Sequence, residues 1–409
     1  MATKWVKRFL ISDAMVLLLL AVPLVYAATP APTGFDNLTN GFESQAQFDL
    51  DRANFESREE FADGLGPVYN AQACAECHQN PVSGAISQIT EVRKGRFDGV
   101  TFTDPPGGSL NNDRAVDASI QERVLGADNV VDLRSSLNIL GDGFVEAIPD
   151  SFFTTTQANQ QAQLGVGGTI IRVPVGEAAA GTTRIARFGW KNQHASLLSF
   201  AADAYLNEMG ITSPLQPREN TSNGVVIPAQ FDGKADPEDA ATAADPFGTD
   251  VGAFTRFMRS LKAPAPDAVA AGTSDVIAGK ALFSQIGCNI CHIPSITTSP
   301  AGTVINGGKY TIPAAIGSKT FNPYSDFMLH DVGTGDGIVQ NGGQGTRNKM
   351  RTPPLWGLRT HDRLMHDLLS FTRDNAIQRH FGEANPVINN YLALSVTQKN
   401  QLIAFINSI

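Results

Sequence analysis

The feature that most constrains this chain is a five-residue pattern that occurs twice and contains all four of its cysteines. The copies are Cys74-Ala75-Glu76-Cys77-His78 and Cys288-Asn289-Ile290-Cys291-His292. Two thiols separated by two residues can form thioethers to both vinyl groups of one porphyrin, and the next residue then places an imidazole beneath the iron. A disulfide or a zinc site would leave the His after each pair unexplained, since only 7 of 409 residues are His.

The two copies therefore predict two covalently bound haem c groups. The expected thioether residues are Cys74, Cys77, Cys288 and Cys291, and the expected proximal iron ligands are His78 and His292.

The first residues have the pattern of an export signal. Lys4, Lys7 and Arg8 precede an apolar run over 14–25, and Val25-Tyr26-Ala27 then places small residues at the two positions that a signal peptidase reads. We predict a signal peptide over 1–27 and a periplasmic protein, with an uncleaved N-terminal anchor as the alternative. The run is shorter than the roughly 20 apolar residues of a membrane-spanning helix, and no later segment approaches that length, so no stable membrane insertion is expected after cleavage.

Composition excludes two other classes of protein. With 42% hydrophobic and 17% charged residues, the chain is too apolar to be disordered. Asp plus Glu number 40 against 31 for Lys plus Arg, and three of those bases precede the cleavage site. An acidic protein of this kind is not expected to bind nucleic acid.

The two motifs divide the chain into a predicted N-terminal haem domain over 28–262, a linker over 263–274 and a C-terminal cytochrome c domain over 275–409. The linker is rich in Pro and Ala. Helical spacing of apolar residues precedes the second motif, and a capping box, Ser395 to Gln398, begins the last predicted helix. Helical patterns also occur at 195–209 and 250–261, and a short strand is predicted at 169–173. The expected fold is mainly α with irregular loops and a few short strands, built as two cytochrome c-like domains.

The remaining histidines predict different coordination at the two irons. An electron-transfer haem needs a sixth ligand, whereas a haem that reacts with peroxide needs an open position. Four of the five other histidines lie in the C-terminal half, and only His194 lies in the N-terminal half. The C-terminal haem is therefore expected to be capped and the N-terminal haem to be open, unless His194 closes it.

Several short motifs resemble the di-haem oxidoreductase family, relatives of bacterial di-haem cytochrome c peroxidases. They run in order over about 42–409: Gly64–Ala71, Glu146–Pro149, Arg187–Lys191, Met209–Leu215, Leu329–Asp331 and Arg351–Gly357. The resemblance implies two cytochrome c domains that face each other, with one haem for the reaction and one for electron entry. Bound calcium between the domains is an expectation by analogy alone.

The resemblance also implies a sixth ligand for the second iron. Relatives place that ligand about four helical turns after a His-Asp turn, and here His380 stands 14 residues after His366. We predict His292/His380 ligation. The alternatives are Met365 or Met328 as the ligand, with His380 only hydrogen-bonded.

Two further roles follow from the resemblance. Trp190 matches a Trp that lies between the haems of these peroxidases and can carry electrons, although it could also be an ordinary buried indole. Glu208 falls on the segment that bears the catalytic acid, although it could also be a solvated helix residue. Phe200 stands where relatives have Gln, which changes the expected hydrogen bonds around the open site.

Three other side chains have simpler interpretations. Arg351 is a predicted haem-propionate partner because its planar guanidinium suits a carboxylate. His330 is expected to make hydrogen bonds near a propionate, and His361 is expected on the surface.

The predicted function is that of a periplasmic di-haem c-type oxidoreductase that reduces hydrogen peroxide with electrons from a small cytochrome c or cupredoxin. Two alternatives remain open. One is a di-haem electron-transfer cytochrome without peroxidase activity, and the other is a di-haem oxidase or oxygenase acting on an organic or protein substrate.

Overall fold

The structure is a computed structural model that describes Met1 and residues 27–409, so the predicted signal peptide lies almost wholly outside the described residues. The described part contains nine α-helices. They are α1 (Gln45–Glu56), α2 (Asp142–Glu146), α3 (Asp150–Leu164), α4 (Leu197–Met209), α5 (Thr249–Ser260), α6 (Ser274–Gln285), α7 (Arg373–Gln378), α8 (Asn385–Leu392) and α9 (Val396–Ile406).

Fifteen strands were found in the same part of the chain, and most have only two or three residues. They are β1 (Thr29–Pro30), β2 (Val68–Tyr69), β3 (Thr90–Phe97), β4 (Phe102–Thr103), β5 (Leu110–Asn111), β6 (Arg114–Ala115), β7 (Val130–Ser135), β8 (Arg172–Pro174), β9 (Thr183–Ile185), β10 (Ile296–Thr297), β11 (Val304–Ile305), β12 (Tyr310–Thr311), β13 (Lys319–Phe321), β14 (Leu329–His330) and β15 (Met350–Arg351). The structure thus has the predicted helices and short strands, in a roughly mixed proportion, because several short loop segments pair with one another.

The predicted helical segments are present. The patterns at 195–209 and 250–261 correspond to α4 and α5. The predicted capping box is confirmed, because the Ser395 hydroxyl accepts from the Gln398 backbone N–H at 3.3 Å and Gln398 Oε1 accepts from the Ser395 backbone N–H at 2.9 Å. The strand predicted at 169–173 begins later, as β8.

Helices α6 and α9 pack directly against each other, as expected for the first and last helices of a cytochrome c domain. The rings of Phe283 and Phe405 meet edge-on with centroids 5.3 Å apart, and Leu402 is fully buried beside them. A Cβ atom at Gly279 would overlap the backbone of Gln401. Glycine at this position therefore permits the close approach of the two helices.

The largest sheet is centred on β3, which pairs with β4, β5 and β7. Its antiparallel register with β7 places Glu91 opposite Arg134 and Arg93 opposite Asp132. Side chains two residues apart share a face of a strand, so Glu91 and Arg93 point the same way.

One cluster of buried apolar side chains includes residues from both sides of the predicted linker. Phe144 packs on Phe321 with ring centroids 6.0 Å apart, and Phe321 packs on Trp356 at 5.6 Å. A second cluster lies between α6 and α9. The exact domain boundaries stay a prediction. Among the described residues, the helices are all too short or too polar to cross a bilayer.

Candidate functional site

The first motif forms a tight turn that exposes one nitrogen of His78 to a cavity. Cys74–Glu76 is a 3-10 turn, and the backbone N–H of His78 donates to the Cys74 carbonyl at 3.1 Å. The Nδ1 atom of His78 lies 3.3 Å from the Ala85 carbonyl. Burial lowers the pKa of His78 to about 4, so the ring is neutral. Nδ1 then carries the proton, and Nε2 keeps the lone pair that a metal ion requires.

The second motif repeats this arrangement. Cys288–Ile290 forms the same type of turn, and His292 Nδ1 lies 2.9 Å from the Tyr324 carbonyl. Burial, with a smaller contribution from nearby His380, lowers the pKa of His292 to about 4. All four cysteines are free, so the disulfide alternative is not found in this structure.

Each motif borders its own cavity, and Trp190 separates the two. The cavity beside His78 has a volume of about 640 Å³, and the one beside His292 about 230 Å³. Trp190 and residues 135–137 line both cavities. The Trp190 side chain is only 9% exposed, and its Nε1 donates to the Ser135 carbonyl at 2.8 Å. The predicted position of Trp190 between the two sites is therefore supported by the geometry, although its role is not.

Glu208 lines the larger cavity near the end of α4, which argues against a solvated helix residue. Its Oε2 accepts a hydrogen bond from Asn70 Nδ2 at 2.9 Å, and the carboxyl of Glu91 lies close to it on the same cavity wall. Burial, together with the negative charge of Glu91, raises the pKa of Glu208 well above its usual range. Both effects favour the protonated form of Glu208.

Sequence reasoning missed two charged residues on the wall of this cavity. Glu91 and Arg93 come from β3, and Arg93 Nε lies 2.6 Å from Glu91 Oε1. The available signal was their spacing of two in a segment with alternating character, which places both side chains on one face. The irregular composition of the surrounding segment hid the strand.

His194 and Phe200 also line the larger cavity, but His194 is held by another partner. His194 Nε2 lies 3.1 Å from Asp203 Oδ2, and its ring stacks on Phe200 with centroids 5.4 Å apart. A nitrogen bound to a carboxylate is not free for a metal ion. The geometry therefore argues against His194 as the group that closes the first site.

His380 lines the smaller cavity together with His292. Its Nδ1 lies 2.9 Å from the Ala376 carbonyl, and burial lowers the pKa of His380. As in the two proximal histidines, Nε2 is left as the metal-binding atom. Met365 lines the same cavity, whereas Met328 is packed in the main apolar core.

Two other histidines of this cavity are tied to carboxylates. His330 Nδ1 lies 2.7 Å from Glu383 and its Nε2 lies 2.8 Å from Asp326. These partners outweigh burial and raise the pKa of His330 well above its usual range. The expected hydrogen-bonding role is supported, but both nitrogens are used by the protein itself, which leaves none for a propionate. His366 Nε2 lies 3.2 Å from Asp132.

The expectation that His361 lies on the surface was wrong. His361 is half-buried on the wall of the smaller cavity, where burial lowers its pKa to about 4. Its Nε2 is buried and has no hydrogen-bond partner among the described residues. The sequence offered no apolar pattern around residue 361 that would have indicated this burial.

Comparison with known proteins identifies the family of the chain. The family described as "Di-haem oxidoreductase, putative peroxidase" matches residues 107–409, well over half of the sequence. The protein is a member of this di-haem oxidoreductase family. The match begins after the first cysteine motif and includes the second.

Solved structures similar to this di-haem oxidoreductase are distant from it. They include a MauG-like protein associated with microbial copper homeostasis (16% identity, 95% of this chain and 94% of that chain, TM-score 0.43). Another is the diheme peroxidase BthA from Burkholderia thailandensis (13% identity, 93% of this chain and 94% of that chain, TM-score 0.41). A third is hydrazine synthase from Kuenenia stuttgartiensis (13% identity, 98% of this chain and 100% of that chain, TM-score 0.39). No curated protein matches the chain.

The residues of this di-haem oxidoreductase fit the two haems that the family implies. Each motif ends in a histidine whose imidazole is neutral and whose Nε2 is free. Arg351 lines the smaller cavity, and its buried Nε has no partner among the described residues, while its Nη1 donates to the Arg187 carbonyl at 2.9 Å. An orphaned guanidinium N–H beside a haem cavity is what a propionate carboxylate would satisfy.

Proposed function

We propose that this di-haem oxidoreductase is a c-type peroxidase that reduces hydrogen peroxide with electrons from a small redox protein. The observation that carries the proposal is the unequal supply of imidazoles to the two cavities. The smaller cavity contains His292 and His380, and each has a free Nε2. The larger cavity contains His78 and His194, but His194 is bound to Asp203.

This inequality assigns a task to each cavity. His292 and His380 would hold one haem, which would transfer electrons, whereas His78 alone would hold the other, which would react with peroxide. The thioether bonds would come from Cys74 and Cys77 at the first haem, and from Cys288 and Cys291 at the second.

At the open site the haem iron supplies the redox chemistry, and the chain supplies proton transfer and positioning. The complete reaction consumes H2O2, two protons and two electrons and gives two molecules of water. Glu208 is the proposed proton shuttle, because its carboxyl lines the larger cavity and Asn70 fixes its orientation.

Trp190 is the proposed route for electrons between the haems. Its indole borders both cavities, and its Nε1 is fixed to the Ser135 carbonyl. Electrons would enter at the His292 haem from a small cytochrome c or a cupredoxin.

We further propose that the protein is exported to the periplasm after removal of residues 1–27, as the sequence predicts. Haem c attachment through thioethers is consistent with export, because the free thiols would otherwise be exposed to an oxidising compartment. Calcium between the domains stays an expectation from the resemblance.

Electronic absorption and electron paramagnetic resonance spectra of the purified ferric protein test the proposal. We expect two haems per chain, one low-spin and one with a high-spin component. Cyanide and peroxide should quickly perturb the high-spin haem alone. Two low-spin haems that react with neither ligand would instead indicate an electron-transfer cytochrome. Slow peroxide turnover at a reactive open haem would indicate an oxidase with an organic or protein substrate.

The His380→Ala variant tests the assignment of the second axial ligand. Removal of the imidazole should convert the His292 haem from low-spin to high-spin, since the iron loses a strong-field nitrogen ligand. Absorption and electron paramagnetic resonance spectra measure the change. Met365→Leu is the matched control in the same cavity and should leave the low-spin signal intact. A thioether-to-iron near-infrared band that is present in the wild type and persists in His380→Ala would contradict the assignment.

A further inference from the structure

Two carboxyl groups from separate elements meet in the larger cavity. Glu208 comes from the last turn of α4 and Glu91 from β3, and both side chains line this cavity close to each other. Each has its own orienting partner. Asn70 Nδ2 donates to Glu208 Oε2 at 2.9 Å, and Arg93 Nε lies 2.6 Å from Glu91 Oε1.

The partners make the two carboxyls unequal. Burial and the charge of Glu91 raise the pKa of Glu208 well above its usual range. Burial also acts against ionisation of Glu91, but the charge and hydrogen bond of Arg93 outweigh it and lower the pKa of Glu91. Two interacting carboxyls titrate as a unit, and the directions of the two pKa shifts favour the proton on Glu208 and the negative charge on Glu91.

This state creates a problem for Glu208 acting alone. Heterolysis of peroxide needs a base for the proton of the oxygen nearer the iron and an acid for the far oxygen. A Glu208 that already carries a proton can act as the acid but has no capacity to act as the base. Its neighbour Glu91, whose pKa Arg93 lowers, has that capacity.

We propose that Glu91 is the second member of a two-carboxyl acid–base unit with Glu208, and that Arg93 positions Glu91. This inference rests on the proposed peroxidase function and deepens it.

The proton transfers balance. The proton of the near peroxide oxygen passes to the carboxyl pair as the proton of Glu208 passes to the far oxygen. The O–O bond breaks, and the far oxygen leaves as water with the bonding electron pair. The carboxyl pair again holds one proton and one negative charge. Two electrons from the donor protein and two protons from solvent then convert the near oxygen to the second water.

Several other charged groups face this pair and set its electrostatic environment. Arg134 faces it from β7, and Asp203 from α4 carries the hydrogen bond to His194. Asp104 lies near Arg93, and Cys77 lies near Glu208. The thioether bond proposed for Cys77 would make that sulfur uncharged.

Infrared difference spectra of the ferric holoprotein test the pair without any turnover. The wild type should show the C=O stretch of a buried protonated carboxyl at neutral pH, and Glu208→Gln should lack it. In Glu91→Gln the repulsion from Glu91 is lost and Arg93 is free to stabilise an ionised Glu208, so this band should decrease at the same pH. A protonated-carboxyl band that is the same in Glu91→Gln and wild type would overturn the proposal.

The pH dependence of kcat/KM for peroxide provides a second test. Glu91→Gln should lower kcat/KM by roughly 10²-fold at neutral pH and shift the profile, while Glu91→Asp, which retains the charge, should recover part of the loss. The control Asp113→Asn removes one exposed carboxylate from the lining of the same cavity and should change neither kcat/KM nor its pH profile. An unchanged pH profile in Glu91→Gln would overturn the proposal even if its rate fell, because a structural role alone lowers the rate without moving the profile.

Failure of this inference differs from failure of the proposed function. Suppose that the wild type binds cyanide at an open haem and consumes peroxide, but that Glu91→Gln has the same infrared carboxyl band and the same pH profile of kcat/KM. Only the two-carboxyl unit is then rejected. If the wild type has no reactive haem, the peroxidase function is rejected, while the infrared result still shows whether Glu91 and Glu208 share a proton.

Discussion

The Glu208→Gln variant is expected to turn over peroxide about 10²- to 10⁴-fold more slowly than the wild type, the range associated with loss of a general acid–base group. Glutamine has nearly the shape of the protonated carboxyl and can keep the hydrogen bond that Asn70 donates to Glu208 Oε2. It cannot release or accept the proton that the far peroxide oxygen needs. The loss should therefore affect the chemistry and leave the fold intact.

Steady-state peroxide consumption with a reduced donor protein measures this loss. The low-spin spectrum of the His292 haem should be unchanged, because Glu208 lines the other cavity. Glu219→Gln is a matched control. Burial raises the pKa of Glu219 to about 9, yet Glu219 is outside both sets of cavity-lining residues. Turnover by Glu208→Gln at the rate of Glu219→Gln would remove Glu208 from the mechanism.

The Lys191→Met variant is expected to lose about 3–5 kcal/mol of unfolding free energy, the cost of breaking a buried ion pair by removing one partner. The ammonium of Lys191 is almost fully buried and lies 3.1 Å from Asp336 Oδ1. It also donates to the backbone carbonyls of Thr346, Arg347 and Lys349, at 2.9, 3.0 and 2.7 Å. Methionine fills a similar volume but leaves the Arg347 and Lys349 carbonyls without their donor, and Asp336 keeps only its ion pair with Arg134.

Denaturant unfolding of the haem-loaded protein, followed by circular dichroism, measures this difference. Lys262→Met is the control, since the Lys262–Asp36 pair is at the surface, where such a pair contributes about 0–1 kcal/mol. Equal losses of unfolding free energy in the two variants would contradict the stabilising role assigned to the buried contacts of the Lys191 ammonium. Because Lys191 follows Trp190 in the chain, the contacts of the Lys191 ammonium also fix the backbone between the two cavities.

The local parts of the site could be predicted from the sequence because their chemistry depends on residues close together in the chain. The spacing of Cys74, Cys77 and His78 is set by one turn of backbone, and the structure forms that turn. The capping box of α9 is equally local, since Ser395 and Gln398 are three residues apart. Trp190 and His380 were identified through the family resemblance, and in the structure each of them lines a cavity beside one of the cysteine motifs.

The interactions that determine protonation could not be predicted in this way. Glu91 and Glu208 are far apart in sequence, and nothing near either residue indicates the other. The burial of His361 likewise depends on how loops pack, and His194 meets Asp203 only because the chain enters α4 with its imidazole against that helix. Sequence patterns show which faces are apolar, but they do not show which buried polar groups meet.

The sequence by itself determined the number of cysteine motifs and the family, and it predicts the two proximal histidines, because covalent haem attachment needs only a short stretch of chain. Tertiary structure decided which histidines keep a free nitrogen and which carboxyl keeps a proton. The reason is physical. Whether a histidine nitrogen is free to bind a metal ion, and whether a carboxyl has a raised pKa, depends on the groups within a few ångströms of it. Folding brings those groups together from α4, β3 and the loops between them.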